Sequence, residues 1–373
     1  MKKNKTWIEI KKSALENNIK QFRKLIPNKT QLWSVVKSNA YGHGLTTFAK
    51  LAEDAGVDGF CVDSVVEGAK LRETGIKKPI LVLGPTVAPN GFLIEAAAND
   101  ITVTVSTEEG LVQIEQAKAK PKFHIKVDTG MHRQGFYPND LLKILKKIKS
   151  PIRDSFTGLY THFASAKDIS YPTYTDGQFK KFKEAIKHCE SAGFKNLTYH
   201  SAATGGTLVN TKYTEDVVRI GIGLYGLWPS GELETQLSDK ISLKPVLSWR
   251  AIISEIKEVE KGHYIGYDLT ERATKKTKLA VIPIGYWHGF DRSLSGIGNV
   301  LIAGKRAKVM GRVSMDLIVV DVSGITCKVG DTATLIGSSG SDEIPAGEMA
   351  RFANTTHYET ITRINPLIER IVV

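Results

Sequence analysis

LWSVVKSNAYGHGLTTFAKLAEDAGVDGFCV, residues 32–62, reads as strand, loop, helix and strand. LWSVV at 32–36 and GFCV at 59–62 are short apolar runs, β-branched and aromatic enough to be buried strands. Gly56 stands where the intervening helix should stop, because glycine accepts the left-handed backbone that ends helices. Two such strands joined through a helix form a parallel βαβ unit.

The pattern repeats outward. ILVL at 80–83, ITVTV at 101–105, FHIKV at 123–127, FTGLY at 156–160, NLTYH at 196–200 and VVRI at 217–220 bring the strands to eight. Amphipathic segments lie between most of them. Upstream, Leu15, Ile19, Phe22 and Ile26 recur at helical spacing. Ser13 with Glu16, and Ser64 with Glu67, have capping-box spacing at two helix starts, and Gly75 marks another stop. Eight strands alternating with helices predict an α/β chain built on a closed (β/α)8 TIM barrel. A doubly wound open sheet is the alternative, and the count of eight favours the barrel.

After residue 230 the texture changes. LSWRAIISEI, KLAVIPIGY, GNVLIAGKRAKVMG, LIVVDVS and TATLIG follow one another, with one clear helix around 345–353. The expected organisation is a barrel over 8–232 and a C-terminal, mostly-β domain over 233–373, with residues 1–7 packing on the latter. WPSGELETQLSDK, 228–240, is the expected linker.

The balance of residues is that of a globular protein: 42% apolar and 24% charged. The net charge of +12 comes from 51 basic and 39 acidic residues. The lysines lie between apolar positions at helical spacing, in stretches such as DLLKILKKIKS (140–150) and QFKKFKEAIKH (178–188), and no aromatic-interleaved basic patch stands out. They read as solvated helix faces and argue against a nucleic-acid partner. No apolar run of membrane-spanning length occurs, and no apolar segment follows the N-terminal lysines. Cys61, Cys189 and Cys327 are odd in number and far apart, so a reducing cytoplasm is expected.

Lys37 follows the first strand directly, and the loop after it carries two glycines, Tyr41 and His43. In a barrel this is the C-terminal mouth, where active sites sit. A lysine there is placed to form a Schiff base with an aldehyde cofactor, although most strand-end lysines merely reach into solvent. HSAATGG at 200–206 and RIGIGLYG at 219–226 end the last two strands, and loops at those positions often bind phosphate in barrels. Small residues there let backbone N–H groups approach an anion, which nominates Ser201, Gly221 and Ile222; tight turn packing explains glycines equally well.

VVKSNAYGHG strongly resembles the cofactor-lysine motif of alanine racemases, V-(V/I)-K-x-N-A-Y-G-H-G. The resemblance runs in order from TWIEI to YETITRI. It implies a pyridoxal 5'-phosphate (PLP) isomerase that interconverts L- and D-alanine, supplying D-alanine for cell-wall peptidoglycan. It implies that Lys37 carries PLP and is one catalytic base. R-x-G-I-x-x-Y-G is matched at 219–226, so Ser201, Gly221, Ile222 and Tyr358, with Tyr41 beside them, should hold the cofactor, the first four at its phosphate. Arg219 should face the pyridine nitrogen and, being always protonated, keep that nitrogen unprotonated.

Racemisation removes a proton from one face and returns one to the other, so two acid–base groups are the simplest design. The resemblance makes Tyr267, in GHYIGYDLTERA, the second base, with His162 in THFASAKD as its hydrogen-bond partner. The family pattern V-(G/S)-Y-G is altered here, because Asp268 replaces the glycine after the tyrosine. In the family this tyrosine comes from the partner subunit, which implies a homodimer with shared active sites. KVDTGMHRQGF, 126–136, resembles K-x-D-T-G-M-x-R-x-G: Arg133 should bind the substrate carboxylate and Lys126, often carbamylated in the family, should orient it. GRVSMD, 311–316, implies that the Met315 backbone binds substrate, with Asp316 supporting. In GYWHGF, 285–290, Tyr286 is kept at the expected entrance, while Trp287 and His288 replace alanine and aspartate. The usual histidine neighbour of Arg219 is absent, and His200 is the nearest substitute. Racemisation of serine, lysine or several amino acids is the first alternative. A noncatalytic PLP carrier, which would lack the β domain, and a fold-related decarboxylase are the others.

Overall fold

The computed structural model describes residues 4–86, 90–167 and 169–373. The chain divides into two compact units. One holds Ser13–Ser38 and Phe48–Lys244; the other holds Asn39–Thr47, Pro245–Val373 and the N-terminal residues through Lys12.

β1 (Thr6–Ile10) belongs to the second unit. The first contains β2 (Gln31–Val35), β3 (Gly59–Val62), β4 (Ile80–Val82), β5 (Ile101–Val105), β6 (Phe123–Lys126), β7 (Phe156–Tyr160), β8 (Thr198–His200) and β9 (Val217–Ile220). Each strand from β2 to β7 pairs in parallel with the next, and β9 returns to pair with β2. The remaining seam, between β8 and β9, is drawn together by a parallel bridge at Ala203 and Arg219, where the Arg219 amide donates to the Ala202 carbonyl at 3.0 Å. The result is the expected eight-stranded barrel, nearly closed. β3, β6 and β9 are buried at every position, as strands covered on both faces must be; β3 is accordingly apolar throughout, whereas β6 and β9 also bury His124, Lys126 and Arg219.

The helix Lys12–Leu25 buries Leu15, Ile19 and Phe22, as the spacing predicts. Phe22 lies against Gly223, where an added Cβ would come within 2.4 Å of its ring. Ser13 is not this helix's cap: the helix begins one residue earlier. Ser64 does cap Val65–Glu73, accepting from the Glu67 amide at 3.3 Å. Gly56 and Gly75, at φ of 90° and 88°, follow the helices Leu45–Asp54 and Val65–Glu73 as expected. The stretch read as a linker carries a helix, Gly231–Leu237, capped by Ser230.

The second unit is built on two sheets and a short hairpin. β10 (Leu247–Ile252) runs antiparallel to β1, and β20 (Glu369–Val372) parallel to it on the other side. β15 (Asn299–Ile302), β16 (Lys305–Lys308), β18 (Thr332–Ser339) and β19 (Asp342–Ile344) complete that sheet, in the order β16-β15-β18-β10-β1-β20 with β19 paired to β18. β11 (Glu255–Val259), β14 (Thr277–Ile282) and β17 (Ile318–Asp321) form a second sheet. β12 (Tyr264–Ile265) and β13 (Glu271–Arg272) form the hairpin that leads into and out of Tyr267. Trp249, fully buried, donates its indole N–H to the Thr6 hydroxyl at 2.8 Å and so ties β10 to β1. Besides the expected helix, Ala346–Phe352, a second one spans His357–Thr362.

Candidate active site

β2 ends at Val35, and the Val36 amide still donates to the Cys61 carbonyl at 2.8 Å. Lys37 then opens a turn in which Ser38, Asn39, Ala40 and Tyr41 all adopt left-handed backbone, with φ of 56°, 56°, 51° and 50°. For L-residues this costs about 1–2 kcal/mol each, and such strain persists only where surrounding contacts over-determine it. Asn39 supplies two of them: its carbonyl accepts from the Gly44 amide at 3.0 Å and its side chain from the Leu45 amide at 2.9 Å. The Arg370 guanidinium donates twice to the Gly42 carbonyl, at 3.2 and 2.9 Å. Gly42 has no substitute here, because a Cβ would lie 1.9 Å from the Ile361 carbonyl oxygen. The Lys37 amine, on a side chain 37% exposed, lies 3.5 Å from an Asp63 carboxylate oxygen.

Inside the barrel, Arg219 on β9 is 2% exposed. One terminal nitrogen lies 2.5 Å from His200 Nδ1; the other donates to the Thr161 carbonyl at 2.7 Å, the Ser201 carbonyl at 3.1 Å and His162 Nδ1 at 3.4 Å. A guanidinium only donates, so both His200 and His162 accept at Nδ1. His200 therefore carries its proton on Nε2 and passes it toward His124 Nδ1, 3.0 Å away. Burial, then Arg219, holds His200 and His162 well below the usual histidine range, and the same causes bring His124 to about 3. His200 is thus the partner that the missing family histidine left open. Among the described residues no carboxylate pairs with Arg219. A buried cation surrounded by neutral acceptors suits one further neutral acceptor, such as a ring nitrogen.

The phosphate-end residues sit on neighbouring strand ends but are internally engaged. The fully buried Ser201 hydroxyl donates to the Tyr213 carbonyl at 2.6 Å. The Gly221 and Gly223 amides donate to the Thr204 hydroxyl at 3.1 and 3.4 Å. Thr204, unremarked in the sequence, organises this corner from the start of the helix Thr204–Val209. An anion here would exchange with these bonds.

Lys126, at the end of β6 and 5% exposed, donates to the Gln134 side chain at 3.0 Å. Burial, then Arg133 and Arg219, pulls its amine down to about 8. Gln134, also missed, owes its position to Asp128, whose carboxylate accepts from the Gly130, Met131, His132 and Arg133 amides at 2.9–3.1 Å and folds the loop around itself. Arg133 itself is exposed.

The second unit carries the other named residues. Tyr267, 69% exposed, opens a tight turn in which Asp268 and Leu269 are left-handed at φ of 62° and 53°. The Asp268 carboxylate faces Arg312 at 3.5 Å and Arg292 at 4.0 Å. Tyr264, three residues before Tyr267, lies on β12 with its ring under the Arg272 guanidinium. The Tyr286 and Trp287 amides donate to the Ser314 and Met315 carbonyls, both at 3.0 Å, so GYWHGF and GRVSMD lie side by side, with Tyr286 and Met315 exposed. His288 Nδ1 lies 4.0 Å from Asp316. The Tyr41 and Tyr358 rings are 6.3 Å apart, and burial raises the Tyr358 phenol to about 12. Lys37 and His162 fall in the first unit, Tyr267 in the second.

Residues 10–229 match the family model for the N-terminal domain of alanine racemase, and residues 246–372 match that for its C-terminal domain. The chain belongs to the alanine racemase family. It is 36% identical over 375 residues to the alanine racemase of Leptospira interrogans, covering 99% of this chain and 96% of the relative. The crystal structure of alanine racemase from Bacillus anthracis with bound L-Ala-P is similar at a TM-score of 0.92 and 35% identity, covering 99% of this chain and 95% of that one. The histidine racemase of Leuconostoc mesenteroides subsp. sake is similar at a TM-score of 0.86 and 29% identity, covering 100% and 99% of the two chains.

Proposed function

We propose that this protein interconverts L- and D-alanine with PLP as cofactor, moving the α-proton with Lys37 and Tyr267. The observation that carries the reading is the match of both domains, nearly end to end, to alanine racemases, with Lys37 following a barrel strand inside an intact family motif. Lys37, Tyr41, Ser201, Arg219, Gly221, Ile222 and Tyr358 are the residues that would hold PLP. When bound, PLP supplies an aldehyde and an electron-withdrawing ring that together acidify the substrate's α-C–H bond. Arg219 only donates, so a ring nitrogen facing it stays unprotonated, which limits side reactions such as transamination. Lys37 Nζ takes or returns the proton on one face of the α-carbon and the Tyr267 phenol on the opposite face, with His162 supporting the phenol. Arg133 and the Met315 backbone hold the substrate carboxylate, with Lys126 and Asp316 supporting them and Tyr286 narrowing the entrance.

The exposed Tyr267, Tyr286, Trp287, Met315 and Leu317 in one unit support a homodimer in which each Tyr267 serves the partner's Lys37. The likeness to a histidine racemase, together with Trp287 and His288 at altered positions, favours one second reading: a different or wider amino-acid range on the same chemistry. The test is purified protein with added PLP, an L-amino-acid panel including alanine, serine, lysine and histidine, and chiral product analysis. D-Alanine is the expected main product. No turnover of alanine removes the substrate; no turnover of any amino acid removes the activity. Lys37→Ala is expected to abolish both racemisation and the visible absorbance of bound PLP.

A further inference from the structure

We propose that Glu67 is a positioning residue for Lys37, its carboxylate fixing both the backbone that carries the lysine and the residue that faces its amine. The inference rests on the reading of Lys37 as the cofactor lysine. Glu67 stands three residues after Ser64, which caps the helix Val65–Glu73. In a capping box the glutamate returns to the amide of the cap residue itself. Here its two oxygens go elsewhere: Oε1 accepts from the Ser38 amide and Oε2 from the Asp63 amide, each at 2.7 Å. Such short, charge-assisted bonds are the strong ones.

Both donors matter for the lysine. The Ser38 N–H belongs to the peptide that leaves Lys37, and Ser38 is the first of the four left-handed residues. Holding that N–H on a fixed acceptor selects the strained turn at the point where an unrestrained chain would stay extended. Asp63 is the residue whose side chain lies 3.5 Å from the Lys37 amine. One carboxylate therefore bridges the ends of β2 and β3 and sets the lysine from both sides. Nothing in helix capping requires the bond to Ser38, which is 29 residues away along the chain.

The comparison is wild type with Glu67→Gln, Glu67→Ala and Ser64→Ala. Ser64→Ala removes the cap of the same helix without touching Ser38. Three quantities are read: PLP affinity of each apoprotein by titration, the rate at which an amine-acylating reagent labels Lys37 in the apoprotein by peptide mass spectrometry, and kcat and KM for alanine. Glutamine keeps the shape but offers one acceptor for two donors, so PLP affinity and kcat should each fall about tenfold while KM stays within about twofold, and Glu67→Ala should lose more. The Lys37 labelling rate should change in both Glu67 variants. Ser64→Ala should lower the melting temperature and leave the other readings within about twofold of wild type. Wild-type behaviour of Glu67→Gln and Glu67→Ala overturns the inference, as does a loss in Ser64→Ala equal to theirs. If wild type itself neither binds PLP nor racemises, the proposed function fails, and the apoprotein labelling still reads whether Glu67 positions Lys37.

Discussion

At the scale of single residues, Lys126 and Tyr267 carry the sharpest expectations. An amine with a pKa near 8 is about one-tenth neutral at pH 7, against less than a thousandth for an ordinary lysine. Only the neutral amine adds carbon dioxide, so Lys126 is the lysine expected to carbamylate. Protein equilibrated with 13C-bicarbonate should show a carbamate resonance that Lys126→Gln removes; a resonance that survives belongs to another lysine. For Tyr267→Phe, PLP binding should persist and turnover should fall by about a hundredfold or more, the scale of a lost proton-transfer group. Enantiomers in water have equal free energy, so kcat/KM must fall equally in the two directions. The asymmetry belongs in the isotope effect: α-deuteration should slow one enantiomer more in the variant than in wild type. Undiminished racemisation by Tyr267→Phe rejects the two-base assignment. The legibility of these residues was uneven. Lys37 stood out because a charged residue ended an apolar strand inside a long motif. Gln134, Thr204 and His124 did not, because their roles come from partners on other strands, and nothing local marks a threonine as the acceptor for two glycine amides.

At the scale of elements, the eight barrel strands were readable because a parallel strand covered on both faces is mostly apolar, and that leaves a run in the sequence even where a site residue such as Lys126 or Arg219 interrupts it. The turn after Lys37 was not readable. Four consecutive non-glycine residues in left-handed backbone contradict local preference, and contacts such as those from Asn39, Glu67 and Arg370 hold the conformation. The helix starting at Lys12 rather than after Ser13 is the converse case, a good capping residue outvoted by its surroundings. The strained turn yields a prediction of its own. Gly42 combines φ of 83° with a carbonyl oxygen that a Cβ would meet at 1.9 Å. Gly42→Ala should therefore cost more than the roughly 1 kcal/mol typical of alanine at a left-handed site, seen as a lower melting temperature, and weaken PLP binding through Tyr41 next door. Gly91, where a Cβ meets nothing within 4 Å, is the control and should tolerate alanine. Equal stability of the two variants would show that the turn relaxes freely.

At the scale of the whole chain, the assignment of Asn39–Thr47 to the same compact unit as Pro245–Val373 had no local signature, since it depends on distant partners such as Arg370 with Gly42, 328 residues apart. Burial of titratable groups has a consequence at this scale too. His43 and His124 are brought to about 3, first by burial, and His162 and His200 are held well below the usual range for the same first reason. In the unfolded chain each titrates near ~6.5. Between those limits the unfolded state binds more protons than the folded one, so stability is fully present above about pH 6.5 and is lost as pH falls through the window down to about 3. A pH unit below the unfolded value costs roughly 1.4 kcal/mol for each such histidine. The melting temperature should therefore fall steeply between pH 7 and pH 5, a range in which ordinary carboxylates, titrating near ~4, are still largely ionised. A His124→Gln variant removes one of the four titrations, so its smaller loss over the same range, compared with wild type, separates the buried histidines from a general acid effect. A melting temperature that holds steady from pH 7 to pH 5 would mean that these imidazoles admit protons without unfolding the barrel, and that Arg219 does not impose neutrality on its neighbours.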